Sequence, residues 1–174
     1  TAYTNQGIEA GSRENCISAW NKSYIIIESL NLSHANGTCG NGGAAIEFSS
    51  NIRCSNIIIQ DCTLHDCNWD GIWIEATSGN EYTNCTIQRN TIYNCSLNEF
   101  DSGGIHSIYM DSSIIQNNTC FDNSEHALRL WNADNNIVQN NTCYSNGSSG
   151  ITLPGHYGGT SSNNIIRYNL CYGN

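Results

Sequence analysis

Cationic residues are scarce in this 174-residue chain. Six Lys and Arg stand against 15 Asp and Glu, for a formal net charge of −9, and Lys22 is the only lysine. Neutralising phosphates takes clustered Lys and Arg, so no nucleic-acid partner is expected. Pro154 is the only proline, and no Pro-rich linker divides the chain, so residues 1–174 read as one domain. No apolar run approaches the ~20 residues of a membrane span. Sustained 3.6-residue spacing is also missing, while Gly, Asn and β-branched residues are abundant, which argues against helices. The chain begins with Thr and shows no signal peptide, which reads as a processed chain or a fragment.

What is present is a repeat. The stretch 55–67 (SNIIIQDCTLHDC) comes back at 23–35, 83–95, 111–123, 134–146 and 162–174. Six copies with short apolar runs, starting 23 to 32 residues apart, indicate a solenoid. One column holds Ile27, Ile59, Ile87, Ile115, Val138 and Ile166; five places on stand Leu32, Leu64, Ile92, Cys120, Cys143 and Cys171. Between them lies the polar column Glu28, Gln60, Gln88, Gln116, Gln139 and Arg167. Such alternation is that of a strand with one face inward. Asn90, Asn118, Asn141 and Asn169 recur where a tight bend is expected, since Asn tolerates left-handed backbone, and stacked amides can bond along the stack. His65, Tyr93, Phe121, Tyr144 and Tyr172 form an aromatic column. A second strand precedes each copy, at 45–48, 71–74, 104–107, 127–130 and 150–153.

This pattern resembles the right-handed parallel β-helix repeat proteins, the superfamily that includes the pectin and pectate lyases. The resemblance covers nearly the whole chain. It implies an all-β fold, a right-handed single-stranded parallel β-helix of about six coils. It leaves activity open, because the superfamily holds lyases, hydrolases, epimerases, adhesins and surface proteins.

The second strand carries the candidate site. Its outward column is Glu47, Trp73, His106, Arg129 and Thr152, with Asp70, Glu75, Asp101 and Trp131 beside it. Aromatic rings stack on sugars and carboxylates serve as acid and base. Glu47, Asp70, His106 and Arg129 are therefore the catalytic candidates, and Trp73, Trp131 and Glu75 the carbohydrate-binding ones. Similarity to polygalacturonase-like hydrolases is loose: Gly104-Ile105-His106 and Arg129 resemble two of their rungs, but the paired aspartates are missing, since Asp70 is followed by Gly71. Similarity to pectate lyases would make Asp70, Glu75 and Asp101 calcium ligands and Arg129 the base. No other cofactor is implied, and Cys62, His65, Asp66 and Cys67 match no trusted zinc spacing. An acidic chain repels a polyuronate unless calcium bridges them.

Ten cysteines suit an oxidising compartment. Cys67 and Cys95 share a column and are expected to pair rung to rung. Cys120, Cys143 and Cys171 are either partly paired or a ladder of buried thiols. Eight glycosylation sequons, at Asn21, Asn31, Asn36, Asn84, Asn94, Asn117, Asn140 and Asn146, fit a secreted, extracellular or cell-surface protein. No capping helix is visible at either end. Reading Gly7-Ile8 as the next second strand after Cys171 suggests head-to-tail stacking of copies, with Cys16 or Cys171 pairing across the joint. Two functions follow. The first is a non-enzymatic structural solenoid that builds a fibre, sheath or coat. The second is a lyase, hydrolase or adhesin for extracellular polysaccharide.

Overall fold

The computed structural model describes residues 8–9, 14–37, 42–97, 102–155 and 158–174. The described residues form strands and no helix. One sheet stacks Ile17–Trp20, Ile46–Ser49, Ile72–Glu75, Gly103–Ile108, His126–Trp131 and Ile151–Thr152. A second stacks Ile25–Glu28, Ile57–Gln60, Thr86–Gln88, Ile114–Gln116, Ile137–Gln139 and Ile165–Arg167. The third stacks Ile8–Glu9, Asn31–Ser33, Thr63–His65, Thr91–Tyr93, Thr119–Phe121, Thr142–Tyr144 and Leu170–Tyr172. A short fourth ladder joins Cys54–Ser55, Tyr82–Thr83 and Met110–Asp111. The chain visits the sheets in turn, and every described pairing is parallel.

The columns seen in the sequence are physical stacks. Ile27 pairs with Ile59, Ile59 with Ile87, Ile87 with Ile115, Ile115 with Val138 and Val138 with Ile166. Leu32, Leu64, Ile92, Cys120, Cys143 and Cys171 stack the same way. These residues face inward and, up to the fifth coil, are buried. Outside, the amides bond along the stack: Gln88 donates to Gln60 at 2.8 Å, Gln116 to Gln88 at 2.9 Å and Gln139 to Gln116 at 2.8 Å. The rings of His65, Tyr93, Phe121, Tyr144 and Tyr172 lie 4.9 to 5.3 Å apart and nearly parallel.

The corners follow one rule. Each has a residue with left-handed backbone on its outer side, followed by one whose side chain turns in. Between the second and third sheets the left-handed residues are Ser29, Asp61, Arg89, Asn117, Asn140 and Tyr168, with φ from 55° to 58°. The expectation had put the bend on Asn90 and its column; the bend sits one residue earlier, which frees Asn90, Asn118 and Asn141 to point inward, where they are buried. Each of these inner amides donates to the next Asn and to a backbone carbonyl of the preceding coil. Two further ladders run at the other corners. Asn123, Asn146 and Asn174 form one, and Ser113, Asn136 and Asn164 the other.

Cysteine occupies the same corner columns lower down. Cys95 donates its N–H to Asn123, Cys85 to Ser113 and Cys62 to Asn90. The nine described cysteines are free thiols, so the expected bridges involving Cys16, Cys67, Cys95, Cys120, Cys143 and Cys171 are absent here. Cys39 lies outside the described residues. The physical reason is the parallel register: stacked Cβ atoms point the same way about 4.8 Å apart, wider than the ~3.8 Å Cβ spacing that a disulfide prefers. Cys67 and Cys95 instead meet thiol to thiol.

Two other expectations are corrected. Ile8 pairs with Leu32, so Ile8–Glu9 belongs to the third sheet and not to the second-strand column, and the reckoning behind the head-to-tail joint fails. Asn146 is 3% exposed and its amide nitrogen donates to Asn174, Cys120 and Tyr144, so it cannot accept a glycan in the folded protein. Asn117 and Asn140 are exposed at the outer corner. For the chain secreted from a eukaryotic host, we expect glycans at Asn117 and Asn140 and none at Asn146, read by mass spectrometry of tryptic glycopeptides.

Candidate functional site

The outer face of the first sheet is built from two side-chain columns. The parallel register places Glu47 against Trp73, Trp73 against His106, His106 against Arg129 and Arg129 against Thr152. Two residues further along each strand, Trp20, Ser49, Glu75, Ile108 and Trp131 make the second column. The period of two puts both columns on one side. Glu47, Trp73, His106, Arg129, Glu75 and Trp131 are thus brought together as the sequence pattern implied.

Their packing is denser than a surface requires. Trp69 lies on Trp73 with ring centroids 4.5 Å apart. His106 stands edge-on between Trp73 at 4.5 Å and Trp131 at 5.3 Å. The Arg129 guanidinium sits 4.3 Å from the centre of the Trp131 ring, a cation–π contact. His106 is 1% exposed and neither of its ring nitrogens has a hydrogen-bond partner. Buried polar atoms without partners are rare and commonly mark a place reserved for a ligand or water.

Asp70 is wholly buried at the start of its strand. One oxygen accepts the Gly103 N–H and lies 3.7 Å from His106 Nδ1, while the other has no partner. Burial pushes the Asp70 carboxyl up, against the pull of His106, the Gly103 N–H and Arg129. The folded state then holds a proton at pH values where the unfolded chain, with Asp near 3.9, has lost it. Stability therefore falls as pH rises from about 4 towards the raised value. Asp70→Asn keeps the acceptor for Gly103 and removes the charge. We expect it to gain on the wild type as pH rises above about 4, measured by urea denaturation at each pH.

Glu47 is held on both oxygens, accepting from Ser49 Oγ at 2.8 Å and from the Asn15 amide. Asn15 also caps the backbone, accepting the Gly43 and Ala44 N–H groups at 2.8 and 3.0 Å. Glu75 is open to solvent as a residue, yet crowding removes enough water from its carboxyl to raise its pKa. The Trp73 indole N–H works against that rise, and the Glu47 charge adds to it. Glu75, Ala76, Thr77, Ser78, Ile108, Tyr109 and Asn132 line a cleft of about 320 Å³ beside the columns.

The calcium reading does not fit. Asp70 precedes the strand Ile72–Glu75 that Glu75 ends, so the two are five residues or roughly 16 Å apart along the chain, and Asp70 is sealed from solvent. Asp101 lies outside the described residues. No group of three or more His, Cys, Asp and Glu side chains among the described residues is placed to hold a metal ion. Trp69, Asn15 and Ser49 were missed. Trp69 had no strand-spacing signal, because bends at 69 and 71 fold its ring back onto Trp73; Asn15 lies outside the repeat and had none either.

Short parallel strands stacked coil on coil with an inward core and corner ladders define a β-helix. The family model described as the right-handed beta helix region matches residues 4–92 and again 88–174. The chain belongs to that family, and its coil is right-handed. Neither the curated proteins nor the solved structures compared with it match.

Proposed function

We propose that this β-helix binds a segment of polysaccharide on the outer face of its first sheet. The observation that carries this is His106 on the outer face of the sheet, packed among Trp73, Trp131 and Arg129, with no hydrogen bond to either ring nitrogen and Asp70 3.7 Å from Nδ1. Stacked strands give a straight wall with a chemical repeat at each rung, which suits a polymeric ligand. Trp20, 58% exposed on the same face, supplies a ring at its lower end. With 15 acids against 6 Lys and Arg, repulsion disfavours polyuronates and favours neutral glycans. We place the protein outside the cell; the exposed sequons support this, while free thiols leave the cysteine count neutral.

Affinity electrophoresis and calorimetry against xylan, β-glucan, galactomannan and polygalacturonate test the reading. Binding to a neutral glycan is expected, weakened at least tenfold in Trp73→Ala and His106→Ala, with little response to calcium. No binding by any of them, or binding indifferent to both substitutions, overturns it. The alternative is a structural solenoid that stacks into a fibre or coat. It is supported by the regular parallel stack, whose Ile, Gln and Asn ladders repeat from coil to coil as a fibre-forming solenoid requires. Sedimentation velocity over a hundredfold range of concentration separates the two; a monomer throughout removes self-stacking.

A further inference from the structure

We propose that two copies of this chain pair side by side through the outer face of the second sheet, with their coils in opposite order. The first sheet takes no part in this joint, so the inference stands whether or not that sheet binds glycan. The register stacks Ile26, Ile58, Thr86, Ile114, Ile137 and Ile165 in one outward column. Ile26 is 61% and Ile165 49% exposed, and the four between them are half-buried. The third sheet fills its corresponding column with Asn31, Thr63, Thr91, Thr119 and Thr142 before Leu170, so the coil does not demand Ile there. An aliphatic strip that continues over several coils marks a surface for another surface to cover.

The second outward column of this sheet, Glu28, Gln60, Gln88, Gln116, Gln139 and Arg167, is prepared for burial. Gln60 donates to Glu28 at 2.7 Å, each later Gln donates to the one before it, and Arg167 Nε donates to Gln139 at 2.9 Å. Covering amides that are already bonded along a ladder costs less than covering unpaired ones.

Charge says what covers the face. The column holds a negative group in the first coil, Glu28, and a positive one in the sixth, Arg167, both exposed. A two-fold axis parallel to the strands, passing between the third and fourth coils, reverses the coil order and keeps each column opposite its own kind. Glu28 then meets the partner's Arg167, and Arg167 the partner's Glu28. Ile26 meets the partner's Ile165 and Ile58 the partner's Ile137, each contact being made twice. A two-fold axis along the coil stack would instead set Ile against Gln and bring the two Glu28 carboxylates to one level. Electrostatic complementarity selects the first arrangement. Six strands about 4.8 Å apart span about 29 Å, and the residues between corners about 15 Å, so a pair covers on the order of 900 Å². That is near the low end for specific interfaces, and Kd is expected at about 10–100 µM. Asn117 and Asn140 follow Gln116 and Gln139 at the rim, where a glycan would hold the copies apart, so the joint belongs to the unglycosylated chain.

Sedimentation velocity of the full, unglycosylated chain, at concentrations that bracket this Kd, should show a single monomer–dimer equilibrium. Ile114→Lys should raise Kd about 30-fold or more. Thr119→Lys, the same change on the outer face of the third sheet, should leave it unaltered. At low salt Glu28→Arg and Arg167→Glu should each weaken the dimer about 5-fold. The double variant should regain wild-type affinity, a restoration that a folding defect cannot mimic. A monomer throughout, a dimer indifferent to Ile114→Lys, or a double variant as weak as its parents overturns the proposal. Growth beyond the dimer that ignores Ile114→Lys also overturns it and points to end-to-end stacking. None of these outcomes touches glycan binding, which its own titrations decide.

Discussion

Asn118→Ala should destabilise the protein by about 4 kcal/mol, a large share of the roughly 5–15 kcal/mol that holds a domain folded. Asn118 is 1% exposed and stands inside the ladder that runs from Asn90 to Asn169. Its oxygen accepts both the backbone N–H and the side-chain amide of Asn90, each at 3.0 Å. Its nitrogen donates to the Ile87 carbonyl and to Asn141 Oδ1, again at 3.0 Å. Alanine would leave the Asn90 N–H and the Ile87 carbonyl buried without partners, at about 1–3 kcal/mol each, and would lose two more bonds. Asn118→Asp should be worse, because it keeps the oxygens, removes the donor and adds a charge with no water. The neighbour Asn117 is the control. It is exposed, and with φ at 56° its role is backbone tolerance, so Asn117→Ala should cost about 1 kcal/mol. Urea denaturation of the three variants measures this; a loss below about 1 kcal/mol in Asn118→Ala would mean the ladder is packing alone.

The ladders also show what a sequence of this type discloses. The columns through Ile59, Gln60 and Tyr93 were legible because strand period and coil repeat are both written in residue type. The Asn118 column was legible because the same residue type recurs in it over four coils. The other two corner ladders were hidden because their lower members are Cys67, Cys95, Cys85 and Ser113, which satisfy the same N–H groups or take the same inward places without looking like Asn. Cys67 and Cys95, read as bridge halves, are therefore corner residues, as are Cys62 and Cys85. On the candidate site, the column Glu47, Trp73, His106 and Arg129 followed from register alone. The burial of Asp70 did not: it depends on Gly103 of the next coil approaching closely, and distance between rungs is not in the pattern. Ile8 was misplaced because a strand of two residues in an irregular first coil fits two columns equally well.

Gly71→Ala joins fold to site, and its expected cost is about 3 kcal/mol together with loss of the proposed glycan-binding face. Gly71 opens the strand between Asp70 and Trp73, on the column that continues through Gly104 and Ala127. A methyl group there would lie 2.3 Å from Ile92 Cγ2 and 2.7 Å from the Gly104 carbonyl oxygen. Ile92 is wholly buried, and the carbonyl belongs to the next rung's backbone, so neither can retreat without separating the coils. That separation would draw Asp70 away from the Gly103 N–H and tilt Trp73 off His106. Ala127 carries a Cβ at the equivalent place two coils on, so the restriction at Gly71 comes from its neighbours and not from the strand position. Gly79 supplies the contrast. Its φ of 84° strains any side chain, but nothing stands within 4 Å, so Gly79→Ala should cost only about 1 kcal/mol and leave glycan affinity intact. Melting temperature and glycan affinity measured together decide it, since equal losses in the two variants would show that backbone freedom and not the space beside Ile92 keeps glycine at 71.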